Sequence, residues 1–319
     1  MKEKTQLLNP KLDVVFQALF GEEGSERITK AFLEKILDTK IDTIELNQNL
    51  VLRREEKEGK LGVLDVLAKI NENQNIDIEM QIAENENILD RMLYYWSRLY
   101  TRSIKKNADY ITLEKSIVIL IANKNVKGFE ELECHTEWRI YEDKFKKKIL
   151  TDKFEIHIIE LEKLKNNINS ISDGLLDWLA FLQNPKTERG IENMKSEDYE
   201  ERMKNLELIE EAREKLRRLS EDPQMQQLAW WREKGIYEEN ERKRREKDIE
   251  EGKKYIEDSK KELEDSKKEL EDSKKKLEDS KKELEDEKKK FAKRLKEGGF
   301  PIEEIIKYTK LSKEEIENL

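Results

Sequence analysis

Two carboxylates and one amide occur at a spacing that suits a metal site. Asp65 lies inside the apolar run 61–70, which is typical of a strand buried on both faces. A buried carboxylate without a partner is strongly unfavourable, so Asp65 needs a cation or another polar partner there. Glu79 and Gln81 follow on the next predicted strand, 76–82, where they share one face.

A hairpin that turns within the polar segment 71–75 would bring Asp65 close to Glu79. This segment has the Asn-rich composition of a tight turn, and paired strands lie about 4.8 Å apart. Two carboxylates at that separation repel each other unless a divalent cation lies between them. Because the chain has one cysteine and two histidines, the residue types favour a hard cation such as Mg²⁺ or Mn²⁺, held by carboxylates.

The alternative is an amphipathic strand with one solvated face. Apolar and polar residues alternate over 76–82, so Asp77, Glu79 and Gln81 would share the polar side. Solvation accounts for Glu79 and Gln81 by themselves, and solvent exposure is the expectation for Asp77, with assistance to the metal as the alternative. Solvation does not account for Asp65, and the spacing alone leaves both interpretations open.

The segment after the hairpin predicts a long helix over 86–106 with a basic stripe. Arg91, Tyr95, Arg98 and Arg102 recur at helical spacing on one face, opposite an apolar face that should enter the core. Such a stripe beside the carboxylates would place Arg91, Arg98 and Arg102 to contact phosphates. The alternative is an ordinary solvated face with Arg–Glu pairs.

The elements around the hairpin predict a mixed α/β core with a helical C-terminal extension. Ser25 is the expected N-cap of a helix over 26–37. The other predicted elements are a helix over 11–20, strands over 41–53, 116–122 and 154–161, and two or three helices between 174 and 235.

A charged repeat follows this core. Charged residues make up 43% of the chain, and 31 of them fall within the 44 positions of 253–296. One apolar residue recurs every seven positions, where a strong coiled coil has two, so we expect a solvated helical spacer that self-associates weakly. After Gly298-Gly299 the sequence predicts two short helices, with Ser312 and Glu315 forming a capping box. The predicted domains are 1–235, 236–296 and a helix-turn-helix-like segment, 297–319.

Composition and isolated residues narrow the remaining options. No apolar run approaches the roughly 20 residues of a membrane helix, and the first residues lack the apolar stretch of a secretion signal, so we expect a cytoplasmic protein without membrane contact. The net charge of −9 argues against non-specific nucleic-acid binding but leaves room for a local basic groove. His135 is isolated from other ligand types and is expected at the surface or half-buried. Trp230-Trp231 is expected to cap a helical interface, with base stacking as the alternative.

The candidate site also resembles a known family. Asp65, the turn and IEMQ at 78–81 resemble the D…(D/E)xK metal motif of the PD-(D/E)xK nucleases. The resemblance is closer to their transposase-like branch, which includes the Rpn recombination-promoting nucleases and has Gln where most of the superfamily has Lys. The similarity covers most of the chain outside the charged repeat, including NPKLDVVFQALFG at 9–21, DRMLYYWSRLY at 90–100, FEIHIIELEKL at 154–164, DWLAFL at 177–182 and IEEIIKYTKLSKEEIENL at 302–319.

This resemblance implies a restriction-endonuclease-like mixed sheet flanked by helices, and hydrolysis of phosphodiester bonds in DNA with Mg²⁺, for which Mn²⁺ would substitute. By the same resemblance, Asp65 and Glu79 would ligate the metal and Gln81 would orient water or a phosphate oxygen. Asp13 matches a family acidic position and would add a ligand or a water contact. Because Gln has no positive charge, Arg91 is the candidate to supply it.

Three classes of function follow from these features. The leading hypothesis is a Mg²⁺-dependent DNA endonuclease that promotes recombination or mobility of DNA. The alternative is a catalytically inactive protein of the same fold that forms a homo-oligomer through 253–296. The third is a DNA-binding module that uses 297–319, which the net charge of −3 in that segment disfavours.

Lys310 departs from the family's C-terminal motif, which usually has Gly at that turn.

Overall fold

The computed structural model describes residues 6–47, 51–52, 62–63, 65–83, 87–102, 104, 108–165, 171–186 and 196–319. The chain divides into two compact units, residues 1–240 and 241–319. Parts of the predicted strands over 41–53 and 61–70, and both ends of the predicted helix over 86–106, lie outside the described residues.

The first unit contains both strands and helices. Its described strands are β1 (Ile44–Leu46), β2 (Val51–Leu52), β3 (Gly62–Val63), β4 (Val66–Ile70), β5 (Gln74–Gln81), β6 (Lys115–Ala122), β7 (His135–Trp138) and β8 (Phe154–Glu160). Its described helices are α1 (Asp13–Phe20), α2 (Glu26–Leu37), α3 (Ile88–Arg102), α4 (Asp173–Gln183), α5 (Ser196–Glu221) and the first part of α6 (Pro223–Glu297).

Six of these strands form one mixed sheet in the order β1-β4-β5-β6-β8-β7. The three central strands, β5, β6 and β8, run parallel, while β4 and β7 pair antiparallel with their neighbours. β2 and β3 form a separate antiparallel pair. This is the predicted α/β architecture, a mixed sheet flanked by helices with a helical C-terminal extension.

Helices cover both faces of the sheet. On one face, aromatic side chains of α1, α2 and α4 pack together, with ring centroids of Phe20 and Phe32 5.1 Å apart and those of Phe32 and Trp178 5.4 Å apart. On the other face, Met92 and Leu99 of α3 pack against the sheet. Residues in the central strands are therefore buried on either side, which explains the continuous apolar sequences of β6 and β8.

Two local predictions differ from the structure. Helix α2 has the predicted bounds, but the Ser25 side chain makes no capping hydrogen bond. Ser25 is fully buried, and its hydroxyl accepts a hydrogen bond from the Lys215 ammonium of α5 instead. The predicted strand over 61–70 is interrupted, with β3 ending at Val63 and β4 beginning at Val66.

The second unit contains the rest of α6 together with α7 (Ile302–Thr309) and α8 (Lys313–Glu317). The predicted capping box is present, since Ser312 Oγ accepts from the Glu315 amide and Glu315 accepts from the Ser312 amide at 2.7 Å. Lys310 adopts the left-handed conformation (φ 55°) that Gly would adopt most easily at this turn. The repeat residues Leu263, Leu270, Leu277 and Leu284 are each more than half exposed.

Within the described part of the chain, every helix is too short or too polar to cross a bilayer.

Candidate active site

The hairpin of β4 and β5 positions the first carboxylate. Its turn places Asn71 and Glu72 in the left-handed region, with φ of 48° and 65°. Val66 pairs with Ile78, so Asp65 lies one step beyond the last strand pair, level with Glu79. Asp65 Oδ2 accepts a hydrogen bond from the Met80 backbone N–H at 2.7 Å. The carboxylate therefore takes the place of a backbone carbonyl of the neighbouring strand, and the regular strand pairing ends there.

Gly21, which ends α1, packs against the bend at Asp65. A Cβ atom at Gly21 would lie 3.3 Å from Val66 Cγ2 and 3.5 Å from the Asp65 carbonyl oxygen. It would also lie 3.0 Å from the Gln17 carbonyl oxygen. The absence of a side chain therefore lets α1 approach the strand that carries Asp65.

Asp77 and Glu79 of β5 lie beneath α3 instead of on a solvated face. Asp77 is 0% exposed and Glu79 is 2% exposed, so the expectation that Asp77 is exposed is wrong. Asp77 is flanked in the sheet by Leu67 and Val118, both members of the apolar cluster beneath α3. The alternation of β5 is real, but its polar side faces a helix because the sheet is covered on both faces.

Three carboxylate oxygens in this buried region lack hydrogen-bond partners among the described residues. They are both oxygens of Asp77 and Oε1 of Glu79. Glu79 Oε2 accepts from Arg91 Nη2 at 2.9 Å. A buried anionic oxygen without a donor is costly, so these groups must either hold protons or face a cation.

The pKa values of the three carboxyl groups are raised by this environment. Burial raises the pKa of Asp65 to about 7, with the Asp13 charge adding to the effect and the Met80 amide opposing it. Burial, and then the Asp65 charge, hold the pKa of Asp77 well above its usual range. Burial and the charges of Asp77 and Asp65 do the same to the pKa of Glu79. The three groups therefore repel one another when ionised.

Arg91 joins the predicted site from α3. Its guanidinium donates to Glu79 as described and to Gln81 Oε1 at 3.2 Å, while Nε donates to the Tyr95 hydroxyl at 2.9 Å. Gln81 is held further by its own donation to the Ala83 carbonyl at 3.0 Å. A positive charge thus lies beside Gln81, where the D…(D/E)xK pattern would have a lysine.

Tyr95 belongs to the buried side of α3 instead of its basic stripe. It is 6% exposed and packs in the cluster that contains Met92 and Leu99. The guanidinium carbon of Arg91 lies 5.0 Å from the centroid of its ring.

The structure does not bring Arg98 and Arg102 to the carboxylates. Seven residues of helix separate Arg98 from Arg91, which is about 10 Å, and Arg102 lies a further turn away. Trp96 Nε1 donates to the Ser116 carbonyl at the start of β6, so α3 runs back along the sheet, away from Glu79. Arg98 is half-buried and Arg102 is exposed.

Asp13 approaches the site from the other face of the sheet and forms an ion pair with an arginine side chain. Its carboxylate takes Arg232 of α6 in a two-point ion pair, with Arg232 Nε at 2.7 Å from Asp13 Oδ1. The charge of Asp13 nevertheless raises the pKa of Asp65, which places it within electrostatic reach of the carboxylates. The sequence held no signal for Arg232, which lies 219 residues away in the chain.

His135 is half-buried, as the sequence predicts, but the expectation that it is isolated from other ligand types is wrong. Because β7 pairs with β8, His135 Nε2 lies 2.9 Å from His157 Nδ1, and His157 Nε2 lies 2.8 Å from Glu155 Oε1. Lys115 and Arg139 contact Glu155 Oε2 at 2.7 and 2.9 Å. Burial, followed by His157, lowers the pKa of His135 to about 4. Although burial opposes it, hydrogen bonds from His157 and Lys115 lower the pKa of Glu155 to about 2.

The donor set fits a hard divalent cation. The candidate ligands are carboxylate oxygens, which hard divalent cations prefer. Glu79 Oε1 has no donor among the described residues, and the Asp65 carboxylate lies beside it, so a cation at this position would be attracted by both groups. No three His, Cys, Asp or Glu side chains in the described ranges form a ready-made ligand set. Mg²⁺ usually takes one or two carboxylates and keeps water or substrate oxygens at its other positions.

Comparison with known proteins gives one match. The model of a family described as "PD-(D/E)XK nuclease family transposase" matches residues 10–246. This range contains the β4–β5 hairpin, α3 and Arg232. No curated protein and no solved structure matches the chain.

Proposed function

Since the chain belongs to the PD-(D/E)XK nuclease family of transposases, we propose that it is a Mg²⁺-dependent DNA endonuclease that hydrolyses phosphodiester bonds and promotes recombination or mobility of DNA. One observation carries the proposal. Three carboxylates, Asp65, Asp77 and Glu79, are gathered in an apolar setting where both oxygens of Asp77 and Oε1 of Glu79 have no donor among the described residues, and where burial raises the pKa values of all three groups. Apolar residues at these positions would stabilise the fold more than buried carboxylates do, so stability alone does not explain the three acidic residues.

Asp65 and Glu79 are the proposed metal ligands. They lie level on adjacent strands, and Glu79 Oε1 has no donor among the described residues. Asp13 is a further ligand or water contact in this proposal, oriented by Arg232. Asp77 adds negative charge beneath them and strengthens the attraction for a divalent cation. Mn²⁺, which prefers the same oxygen ligands, would substitute.

The bound metal would lower the pKa of a water molecule and offset charge on the scissile phosphate. The chain's own residues then have distinct tasks. Gln81, fixed by Ala83 and Arg91, orients the attacking water or a phosphate oxygen. Arg91 supplies the positive charge that Gln81 lacks and contacts the phosphate, because its guanidinium already lies between Gln81 and Glu79.

Arg98 and Arg102 have a more distant role in this proposal. Their separation from the carboxylates suits contacts with the phosphate backbone away from the cleaved bond, and these contacts would position DNA without reading its sequence.

The inactive, oligomeric alternative is favoured by one observation, the exposed apolar row along α6. Its members are each at least half exposed: Ile256, Leu263, Leu270, Leu277, Leu284 and Phe291. If the protein binds no divalent cation, while deletion of 253–296 abolishes a stable oligomer, this alternative replaces the endonuclease proposal.

Nicking of supercoiled plasmid tests the endonuclease proposal. We expect the purified full chain to nick plasmid with Mg²⁺ or Mn²⁺ and not with EDTA. Asp65→Asn and Glu79→Gln should lose nicking, whereas Glu45→Gln, an exposed glutamate on β1, should keep it. Equal cleavage in EDTA, or by both site variants, would refute the proposal.

A further inference from the structure

A cavity of about 510 Å³ lies beside the N-terminal end of α1. Its walls come from the chain before α1, the segment after α4 and the first turns of α6. The lining residues that bear on ligand binding are Lys11, Lys186, Gln226, Trp230 and Glu233, and we call this cavity the Trp230 groove. Its volume lies within the range of about 300–1,000 Å³ that small-molecule sites occupy.

Lys11 and Lys186 outnumber Glu233 among the charged residues that line the Trp230 groove, so its lining carries a net positive charge. Its ammonium donates to Asn123 Oδ1 at 2.8 Å, and within the described ranges it forms no ion pair. Burial, and then the nearby Lys124 charge, lower the pKa of Lys11. A half-buried cation beside another cation is stabilised by an anion, and a phosphate group is an anion of suitable size.

Trp230 offers the groove an aromatic surface. It is 53% exposed and its neighbour Trp231 is 55% exposed, so the expectation that this pair caps a helical interface is wrong for the described structure. Lys234 Nζ lies 5.4 Å from the centroid of each ring. Of the two tryptophans, Trp230 lines the groove.

The groove adjoins the proposed active site. Arg232, two residues after Trp230, binds Asp13, which lies two residues after Lys11. Asp13 in turn influences the pKa of Asp65. A strand that passes through the groove would therefore reach the carboxylates within a short stretch of backbone.

We propose that the Trp230 groove binds an unpaired nucleotide of the DNA substrate, with its base stacked on Trp230 and its phosphate on Lys11 and Lys186. The base must be unpaired because stacking on a side chain needs a free base face, which the interior of a duplex does not offer. The identity of the ligand as DNA rests on the proposed endonuclease function. The preferred substrate is then a duplex with a single-stranded segment beside the cleaved bond.

Binding of labelled DNA to the Asp65→Asn protein in EDTA tests this inference by fluorescence anisotropy. Two probes share one duplex sequence, one blunt and one with a single-stranded overhang. We expect Trp230→Ala to weaken binding of the overhang probe about 10-fold, the range that loss of one stacked base gives, and to leave the blunt probe within about twofold. Lys11→Gln should also weaken binding of the overhang probe more than binding of the blunt probe.

Trp231→Ala is the matched control, since this neighbour has the same residue type and exposure but does not line the groove. Three results would overturn the inference. They are an equal loss of affinity for the overhang probe in Trp230→Ala and Trp231→Ala, an equal loss of affinity for both probes in Trp230→Ala, and no loss of affinity in Trp230→Ala. Far-ultraviolet circular dichroism excludes unfolding as the cause of a loss. If the overhang adds nothing to binding while the wild type still nicks plasmid, the groove inference is refuted and the endonuclease proposal stands. If the wild type does not nick plasmid, the endonuclease proposal is refuted.

Discussion

Replacement of Asp65 by Asn should make the metal-free protein more stable at neutral pH. The Asp65 pKa rises from 3.8 to about 7 on folding, so at about pH 3 and below the carboxyl is mostly protonated in both the folded and the unfolded chain. As the pH rises toward 7, the unfolded chain releases this proton first, and the free energy of unfolding falls. Above pH 7 the full penalty is present.

The size of this penalty follows from the same two pKa values. A rise of about 3 in pKa corresponds to at most about 4 kcal/mol, at roughly 1.4 kcal/mol for each tenfold change in proton affinity. In the Asp65→Asn protein the new amide side chain would keep an oxygen to accept the Met80 amide, so the variant removes the charge and retains that contact. We therefore expect wild type and Asp65→Asn to have similar stability near pH 4 and to differ by up to about 4 kcal/mol at pH 8.

Urea denaturation in EDTA, followed by tryptophan emission, measures this difference. All five tryptophans precede residue 240, so the signal reports on the first unit alone. Asp42→Asn is the control, because Asp42 is exposed on the same unit. Addition of Mg²⁺ at 100 times its Kd should raise the stability of the wild type by about 2.7 kcal/mol at pH 8 and raise that of Asp65→Asn less.

Two results would refute this reasoning. One is a wild-type stability that stays level or increases between pH 4 and pH 8 in EDTA. The other is the same pH dependence in Asp65→Asn as in wild type, which would show that Asp65 is solvated in the folded protein.

Three further outcomes are expected. Arg91→Met should lower plasmid nicking at least about 100-fold with the fold retained, because it removes the cation that contacts Glu79 and Gln81; full activity in a rate assay would contradict this role. Gly21→Ala should cost about 1–3 kcal/mol of unfolding free energy in urea, because the new Cβ crowds Val66, whereas an unchanged midpoint would show that α1 shifts freely. Glu155→Gln should cost about 1–3 kcal/mol at pH 7, because it leaves two half-buried cations, Lys115 and Arg139, without their anion; a neutral effect in the same assay would argue against that network.

The main elements of the site could be predicted from sequence because they depend on local patterns. The Asn-rich turn and the apolar residues on either side determine the β4–β5 hairpin, and this hairpin sets Asp65 level with Glu79. The bounds of α2 follow from its apolar periodicity in the same way.

Contacts that depend on distant segments could not be predicted. The exposure expected for Asp77 was wrong because alternation along a strand does not tell which element covers its polar side. The apolar face of α3 was the available signal, since that face had to be buried against a sheet. His135 and His157 meet only through the β7–β8 register, and Arg232 reaches Asp13 only because α6 returns to α1.

The conflict between stability and charge is what makes the β4–β5 hairpin informative. Leu67 and Val118 flank Asp77 in the sheet, and an apolar residue between them would extend the cluster beneath α3. The fold instead buries a carboxylate whose two oxygens have no donor in the described structure, next to a second carboxylate that has one donor, Arg91. One guanidinium cannot neutralise three carboxylates, so the remaining charge either binds protons, at the expense of stability as the pH rises, or binds a divalent cation. The dependence of stability on pH and on Mg²⁺ therefore tests the proposed chemistry without any DNA present.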